Sequence, residues 1–364
     1  MPMFTLLSDP TAYRPCTQNM LEDVEFRNYW LGHFVEHFEL IATLALQVYG
    51  PSAAANIAAA RRDLAAEMTA LAAQPDRYGE LDLQMLGVVR QNCLSRNHIA
   101  DPFLLTKQRE NTAMLALYPR VVAEIDGYTD AAQALRVLVE GAFAGNIFDL
   151  GATATTKLYA HESPDFFKVR ASLDGKRPWL VDQLDSFSHR LVHGPPFHKA
   201  LIFVDNAGSD FILGMMPLAR FLAQRGTHVC ILANESASLN DMTILETREL
   251  LPRLAQLDPI LQTLLKTGRI TAESSGGTTP LIDLRHVSDA CNHQAADADL
   301  LIFEGMGRAL ESNFNASFKV DTVKLCMIKE EIIAQRHHGK VFDVVFRYDP
   351  ALRFNDQGAM INDQ

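Results

Sequence analysis

The sequence predicts an α/β fold: a mainly parallel, Rossmann-like sheet flanked by helices, preceded by an all-helical N-terminal part. Three observations predict it. Apolar residues recur at helical spacing from residue 22 to about residue 140, with no strand signal between them. From about Lys199 onward, short apolar runs alternate with helical stretches, the pattern of a parallel sheet covered by helices. Several of those runs end in an acid or an amide, at the strand ends where open α/β sheets gather their ligands.

In the helical part, Phe26, Trp30, Phe34, Phe38, Ile41, Leu44 and Val48 follow one another at three or four positions, which marks one buried helix face. The stretch 40–60 carries no charge, but Gly50-Pro51 interrupts it and Gln47, Ser52 and Asn56 dilute it, so it reads as two helices of a soluble protein rather than a membrane span. The alanine-rich segment 53–73 has high helix propensity, with Arg61, Arg62 and Asp63 as its wet face. Within the first helix, HFVEH (33–37) matches an H-x-x-E-H zinc pattern. Three fixed positions among large apolar neighbours are more simply a packed helix face. The segment HGPPFHK (193–199), with paired prolines, is the expected junction, dividing a helical domain or lid (1–190) from an α/β domain (191–364).

Beyond the junction, ALIFV (200–204) and HVCILAN (228–234) read as buried strands, separated by a helical stretch (211–224) and a turn at Arg225-Gly226. RITAES (269–274), ADLLIFEG (298–305) and KVFDVVFRY (340–348) are the remaining strand-like runs. His337 and His338, followed by Gly339, read as a helix C-terminus. This places Asp205, Asn234 and Glu304 alike at the carboxyl ends of strands.

At 364 residues and 48% apolar content the chain can fill a sizeable core. Its net charge of -11 argues against nonspecific nucleic-acid or anionic-membrane binding, both of which rely on basic patches. Five cysteines (Cys16, Cys93, Cys230, Cys291, Cys326) lack CxxC or zinc spacing, and no basic segment followed by an apolar core opens the sequence. A cytoplasmic protein without a disulfide framework is expected.

The familiar nucleotide and hydrolase signatures are missing. EGMGRAL has two glycines of a dinucleotide loop but Ala309 and Leu310 where the third falls, and neither a GxxxxGK[ST] loop nor a GxSxG elbow occurs. What remains is DNAGSD (205–210), NESASLND (234–241) and EGMGR (304–308). Asp205 and Asn206 are hard oxygen donors suited to Mg²⁺ or Mn²⁺, and Asp241 is positioned to complete a three-residue cup with places left for water and a phosphate oxygen. Such an ion polarises a phosphoryl group and acidifies a water. The bland alternative is that Asp205 caps the following helix and Asn240-Asp241 forms a turn.

Together with FAGNIFDLGA (143–152), RPWLVDQL (177–184), FVDNAGSDFILG (203–214), ANESASLNDMT (233–243), ADLLIFEGMGRALESN (298–313) and FKVDTVKLCMIK (318–329), the chain resembles the DUF89 family of metal-dependent damage-control phosphatases, in the subfamily marked by EGMGR. These blocks keep the family's order over about half the chain. It departs from the family at Ala237, where a proline is expected, and at Val320, where cysteine is usual. The resemblance implies metal ligation by Asp205, Asn206 and Asp241. It also implies catalytic roles for Asp205, Asp241, Glu304 and Lys329, with Lys329 as the phosphate-binding cation. Asn146, Asp149, Arg308 and Asn234 are further candidates for substrate or phosphate binding, Arg308 alternatively pairing with Glu304. The implied cofactor is a divalent ion (Mn²⁺, Co²⁺, Ni²⁺ or Mg²⁺). The implied substrate is a small phosphorylated metabolite, 4'-phosphopantetheine or its oxidised and damaged forms, with sugar phosphates as the alternative. The nucleophile is expected to be a water, with Asp205 itself the other choice. Two competitors are a carboxyl methyltransferase using S-adenosylmethionine, which would be expected to carry a glycine-rich turn after its first strand, and a catalytically silent binding module.

Overall fold

The computed structural model describes residues 1–147, 165–351, 353–354 and 360–361. The first segment is helical as expected: α1 (Val24–Tyr49), α2 (Ala54–Ala73), α3 (Leu83–Arg96), α4 (Leu104–Leu115), α5 (Tyr118–Asp126) and α6 (Ala131–Asn146). Asp23 caps α1 by accepting from the Phe26 N–H, and the helix ends where Gly50 turns to φ 74° before Pro51. Among the described residues no helix is long and apolar enough to cross a membrane.

After α7 (Phe166–Leu173) the chain lays down β1 (Val181–Asp182) and α8 (Leu184–His193). It then builds β2 (Lys199–Phe203), α9 (Met216–Gln224), β3 (His228–Ala233), α10 (Ile244–Leu257), α11 (Pro259–Lys266) and β4 (Ile270–Ser274). It completes the main sheet with α12 (Asp289–Ala295), β5 (Leu300–Glu304), β6 (Asp321–Met327), α13 (Glu331–Arg336) and β7 (Val344–Asp349), beyond which β8 (Arg353–Phe354) and β9 (Met360–Ile361) pair with each other. The seven strands lie in the order β1-β7-β6-β5-β2-β3-β4, with β6 and β7 antiparallel and every other pair parallel. From β2 the chain winds outward through β3 and β4, then returns to β5 on the other side of β2 and continues to β6. The neighbours β2 and β5 therefore flank the point where the winding reverses, and the crevice at their carboxyl ends is the ligand position of open α/β sheets.

Two strands depart from the sequence expectation. β1 falls inside the stretch expected to be wholly helical. It is short enough to leave no periodicity, and is held by pairing with β7. β6 interrupts its apolar residues with Asp321, Thr322 and Lys324, all buried. Lys324 is satisfied there by Asp349 Oδ2 and by the carbonyl oxygens of Phe314 and Ala316.

Side chains of β2 alternate between the two faces of the sheet. Ala200, Ile202 and Val204 pack with residues of α5 to α9, whereas Leu201 and Phe203 pack with Phe4 and with α1, α2 and α3. Each apolar layer is thus built from residues on both sides of position 190.

Candidate active site

Asp205 and Asn206 follow β2 directly, and the loop after β3 is tied to them by backbone bonds. Ala207 N–H donates to the Asn240 carbonyl (2.9 Å) and Met242 N–H to the Asp205 carbonyl (2.8 Å). This ladder brings Asp241 beside Asn206. Leu239, just before, sits at φ 51°, a left-handed conformation costly for a leucine and of the kind that collects at functional sites. After both β2 and β5 the chain enters a wide π-helical turn, Asp210–Met215 and Met306–Ser312, another feature common near sites. The first turn carries Asp210 and the second Arg308.

Close backbone approach draws these parts together. Gly145 of α6 packs so tightly on the first π turn that a Cβ there would lie 2.8 Å from Asp210 Cα. That approach lets Asn146, one residue on, insert under the strand ends. Gly305, at φ 95°, lies against the Asp205 side chain, and any Cβ would collide with its carboxylate. The glycine of EGMGR is thus required both by backbone conformation and by space.

One oxygen each of Asp205, Asp210 and Glu304 lie within 4.8 Å of one another, all buried. Asn146 Nδ2 donates to Asp210 Oδ2 and Glu304 Oε1 (both 2.9 Å) and to Asp205 Oδ2 (3.3 Å), while its Oδ1 accepts from Met327 N–H. Asn206 Nδ2 donates to Asp205 (2.8 Å) and Asp210 (2.9 Å), and Glu304 Oε2 accepts from Asp205 N–H (2.8 Å). Arg308 forks across the cluster, donating to Asp205 Oδ1 through Nη1 and to Asp241 Oδ2 through Nη2 (2.8 Å). Asn234 Nδ2 also reaches Asp241 (2.9 Å), and its Oδ1 accepts from Arg308 Nη2 (3.2 Å). Lys329 is fully buried, with Nζ donating to the Asn146 carbonyl (3.0 Å).

Burial is the largest influence on these acids. It raises Asp205 to about 8 against the pull of Arg308, raises Asp210 against Lys329, and raises Glu304 well above its ordinary range, where the Asp210 and Asp205 charges add to it. Burial thus favours the protonated forms of these acids, and a cation arriving among them would favour the charged ones. Among the described residues, both polar atoms of the buried Asn240 carboxamide are without a hydrogen-bond partner. The clustered carboxylate oxygens of Asp205, Asp210 and Glu304 are a donor set that fits a hard divalent ion.

Asp205, Asn206 and Asp241 open on a cleft roofed by Trp30, His33 and Phe34 of α1 and by Arg90 of α3. The family model of the damage-control phosphatase ARMT1-like domain matches residues 38–345. This chain belongs to that family. A damage-control phosphatase of Arabidopsis thaliana is 37% identical over 74% of this chain and 73% of its own length. The pantothenate kinase 2 of that plant is 37% identical over 96% of this chain but 42% of its own length. The 4'-phosphopantetheine phosphatase of Mus musculus is 31% identical over 94% and 48% respectively. The chain thus spans about half the length, or less, of these last two relatives. A crystal structure of a DUF89 family protein from Pyrococcus horikoshii has a TM-score of 0.59, covering 87% of this chain and 96% of its own. At 17% identity it supports the fold alone.

Of the residues singled out in the sequence, Asp205, Asn206, Asp241, Glu304, Asn234, Asn146, Arg308 and Lys329 come together at the β2–β5 crevice of this damage-control phosphatase fold. Asp149 lies outside the described residues. Asp205 does not act as a helix cap, since its carboxylate is taken by Arg308, Asn206 and Asn146. Arg308 is bonded to Asp205 and Asp241 rather than to Glu304. The structure adds Asp210, whose signal was available in DNAGSD, and Asn240, whose neighbour Asp241 drew the attention. Arg90 had no signal, because one arginine in a helix reads as a solvated face.

Proposed function

We propose that this chain is a metal-dependent phosphatase that converts a phosphate monoester and water to an alcohol and phosphate. We infer its substrate to be 4'-phosphopantetheine or an oxidised or otherwise damaged form of it. The carrying observation is the acid and amide cup at the switch point opening into a cleft with an apolar wall. Trp30, Phe34, Leu83, Leu239, Leu281 and Met306 supply the apolar part of that wall, which suits the methyl and methylene groups of such an alcohol. The name of the mouse relative, a 4'-phosphopantetheine phosphatase, supports the same choice. The five free cysteines suit a reducing, cytoplasmic setting.

Asp205, Asn206 and Asp241, which face the cleft, are the ligands assigned to the ion. Mn²⁺, Co²⁺, Ni²⁺ and Mg²⁺ are the candidates. A bound divalent ion supplies Lewis-acid polarisation of a phosphoryl oxygen and a more acidic water, the expected nucleophile. Asp210 and Glu304 brace the cup: Glu304 fixes the Asp205 backbone and Asp210 fixes the Asn206 amide. Asn146 carries α6 into the same network, and Asn234 holds Asp241. Arg308 and Lys329 offset the carboxylate charge, so a phosphoryl dianion approaches a cup whose field is already partly neutralised.

The test is phosphate release by chelator-stripped protein with each of the four ions restored, from 4'-phosphopantetheine and from a panel of sugar phosphates. Ion-dependent release that favours 4'-phosphopantetheine and is lost in Asp205→Ala is expected. Preference for sugar phosphates would overturn the substrate. Absence of release with every ion would overturn the phosphatase.

A further inference from the structure

Among the described residues, the cleft that leads to the cup is poor in positive charge. These give its wall four carboxylates, those of Asp205, Asp241, Glu311 and Glu330, and one guanidinium, that of Arg90. Arg308 and Lys329 are engaged with the acids and with the Asn146 carbonyl. Arg90 comes from α3, in the helical part, and is 6% exposed. It has no carboxylate partner and no hydrogen bond among the described residues. Its guanidinium lies 4.9 Å from the centre of the Phe34 ring, which holds the group in place without using its five N–H donors. Burial lowers its pKa to about 10, with Asp241 the charge that opposes the fall, so it stays a cation at neutral pH and is felt at the cup.

An arginine serving the fold at such burial is expected to have a carboxylate or carbonyl partner, because a buried charge without one is destabilising. Arg90 has instead an open cleft. A second group there is in the same state: Asn240 is fully buried, lines the cleft, and leaves both carboxamide atoms without a partner. Two residues from separate elements, both lining one cavity beside the cup and both with unused donors, suit an anion with several oxygens. In a phosphate monoester of an uncharged alcohol that anion is the phosphoryl group.

We propose that Arg90 is a substrate-binding residue: it grips the phosphoryl oxygens from the helical side of the cleft, with the Asn240 amide as a neutral second donor. The assignment rests on the phosphatase reading. It gives the N-terminal helices a direct part in binding, because the cation that meets the substrate comes from α3 rather than from the sheet.

The probe is inorganic phosphate, titrated calorimetrically into Mn²⁺-supplemented full-length protein, with Mn²⁺ affinity measured separately. Arg90→Met keeps the apolar stem over Phe34 and removes the charge and donors; Arg90→Lys keeps the charge and loses the fork. Phosphate affinity is expected to fall by about 10- to 100-fold in Arg90→Met and by less in Arg90→Lys, with Mn²⁺ affinity held within about twofold of the parent. The KM for 4'-phosphopantetheine should rise in the same order. A parent that binds no phosphate, an Arg90→Met protein that binds it as the parent does, or loss of Mn²⁺ affinity in step with phosphate in both variants would overturn the assignment. A parent that binds phosphate through Arg90 but hydrolyses no ester would overturn the phosphatase reading and leave the anion site standing.

Discussion

Asn240 separates a functional from a structural account most cleanly among single residues. Its carboxamide makes no bond among the described residues, so Asn240→Ala removes a buried polar group without breaking a bond of the fold. The melting temperature is expected to hold or rise, while kcat/KM for 4'-phosphopantetheine falls about tenfold, the loss of one good hydrogen bond. Thermal melts beside steady-state rates check this; a destabilised protein with parental kinetics would mean that the amide serves the loop. Asp205, Asn206 and Asp241 stood out in the sequence as hard donors near strand ends, with a helix cap and a turn as the competing readings, and the family resemblance implied their ligand roles. Asn240 and Arg90 were not legible, since their meaning lies in partners they lack, and a missing partner is a property of three-dimensional surroundings.

At the level of elements, β2, β3, β4, β5 and β7 were readable as apolar runs, and β6 was not, because it buries a lysine. Burial lowers Lys324 to about 8, against the opposing charge of Asp349. An unfolded lysine keeps its proton up to about pH 10.4, so between about pH 8 and pH 10 the unfolded chain binds a proton that the folded chain does not. The penalty of burying the charged form is full below that window and is relieved as pH rises through it. Stability of the parent should therefore increase more steeply over this range than that of Lys324→Met, read as urea midpoints at three pH values. Equal slopes would show that Lys324 keeps its proton in the fold. The π turns after β2 and β5 were equally hidden: the stretch from Phe211 looked like an ordinary helix, and nothing in its residue pattern marks the wide first turn on which Gly145 packs.

For the whole molecule, the parallel sheet with helices on both faces was predictable from the alternation of patterns, but not how the helical part is used. Both apolar layers mix residues from either side of position 190, and the cleft takes its roof from α1 and α3. A fragment of residues 191–364 alone would lose the α1, α2 and α3 residues from the layer of Leu201 and Phe203, and the α5 to α8 residues from the layer of Ile202 on the other face. It is expected to bind a hydrophobic dye and to melt without cooperativity, whereas a sharp calorimetric transition would show that the α/β part folds by itself. The proposed function depends on Asp205, Asn206 and Asp241 holding an ion at the point where the winding reverses. Anomalous diffraction from crystals of the full chain grown with Mn²⁺ tests it most directly. A single strong peak is expected at ligand distance, about 2.0 to 2.3 Å, from oxygens of those three residues on the cleft side. A peak held by Asp210 and Glu304 away from the cleft, or no peak in crystals saturated with the ion, would contradict it.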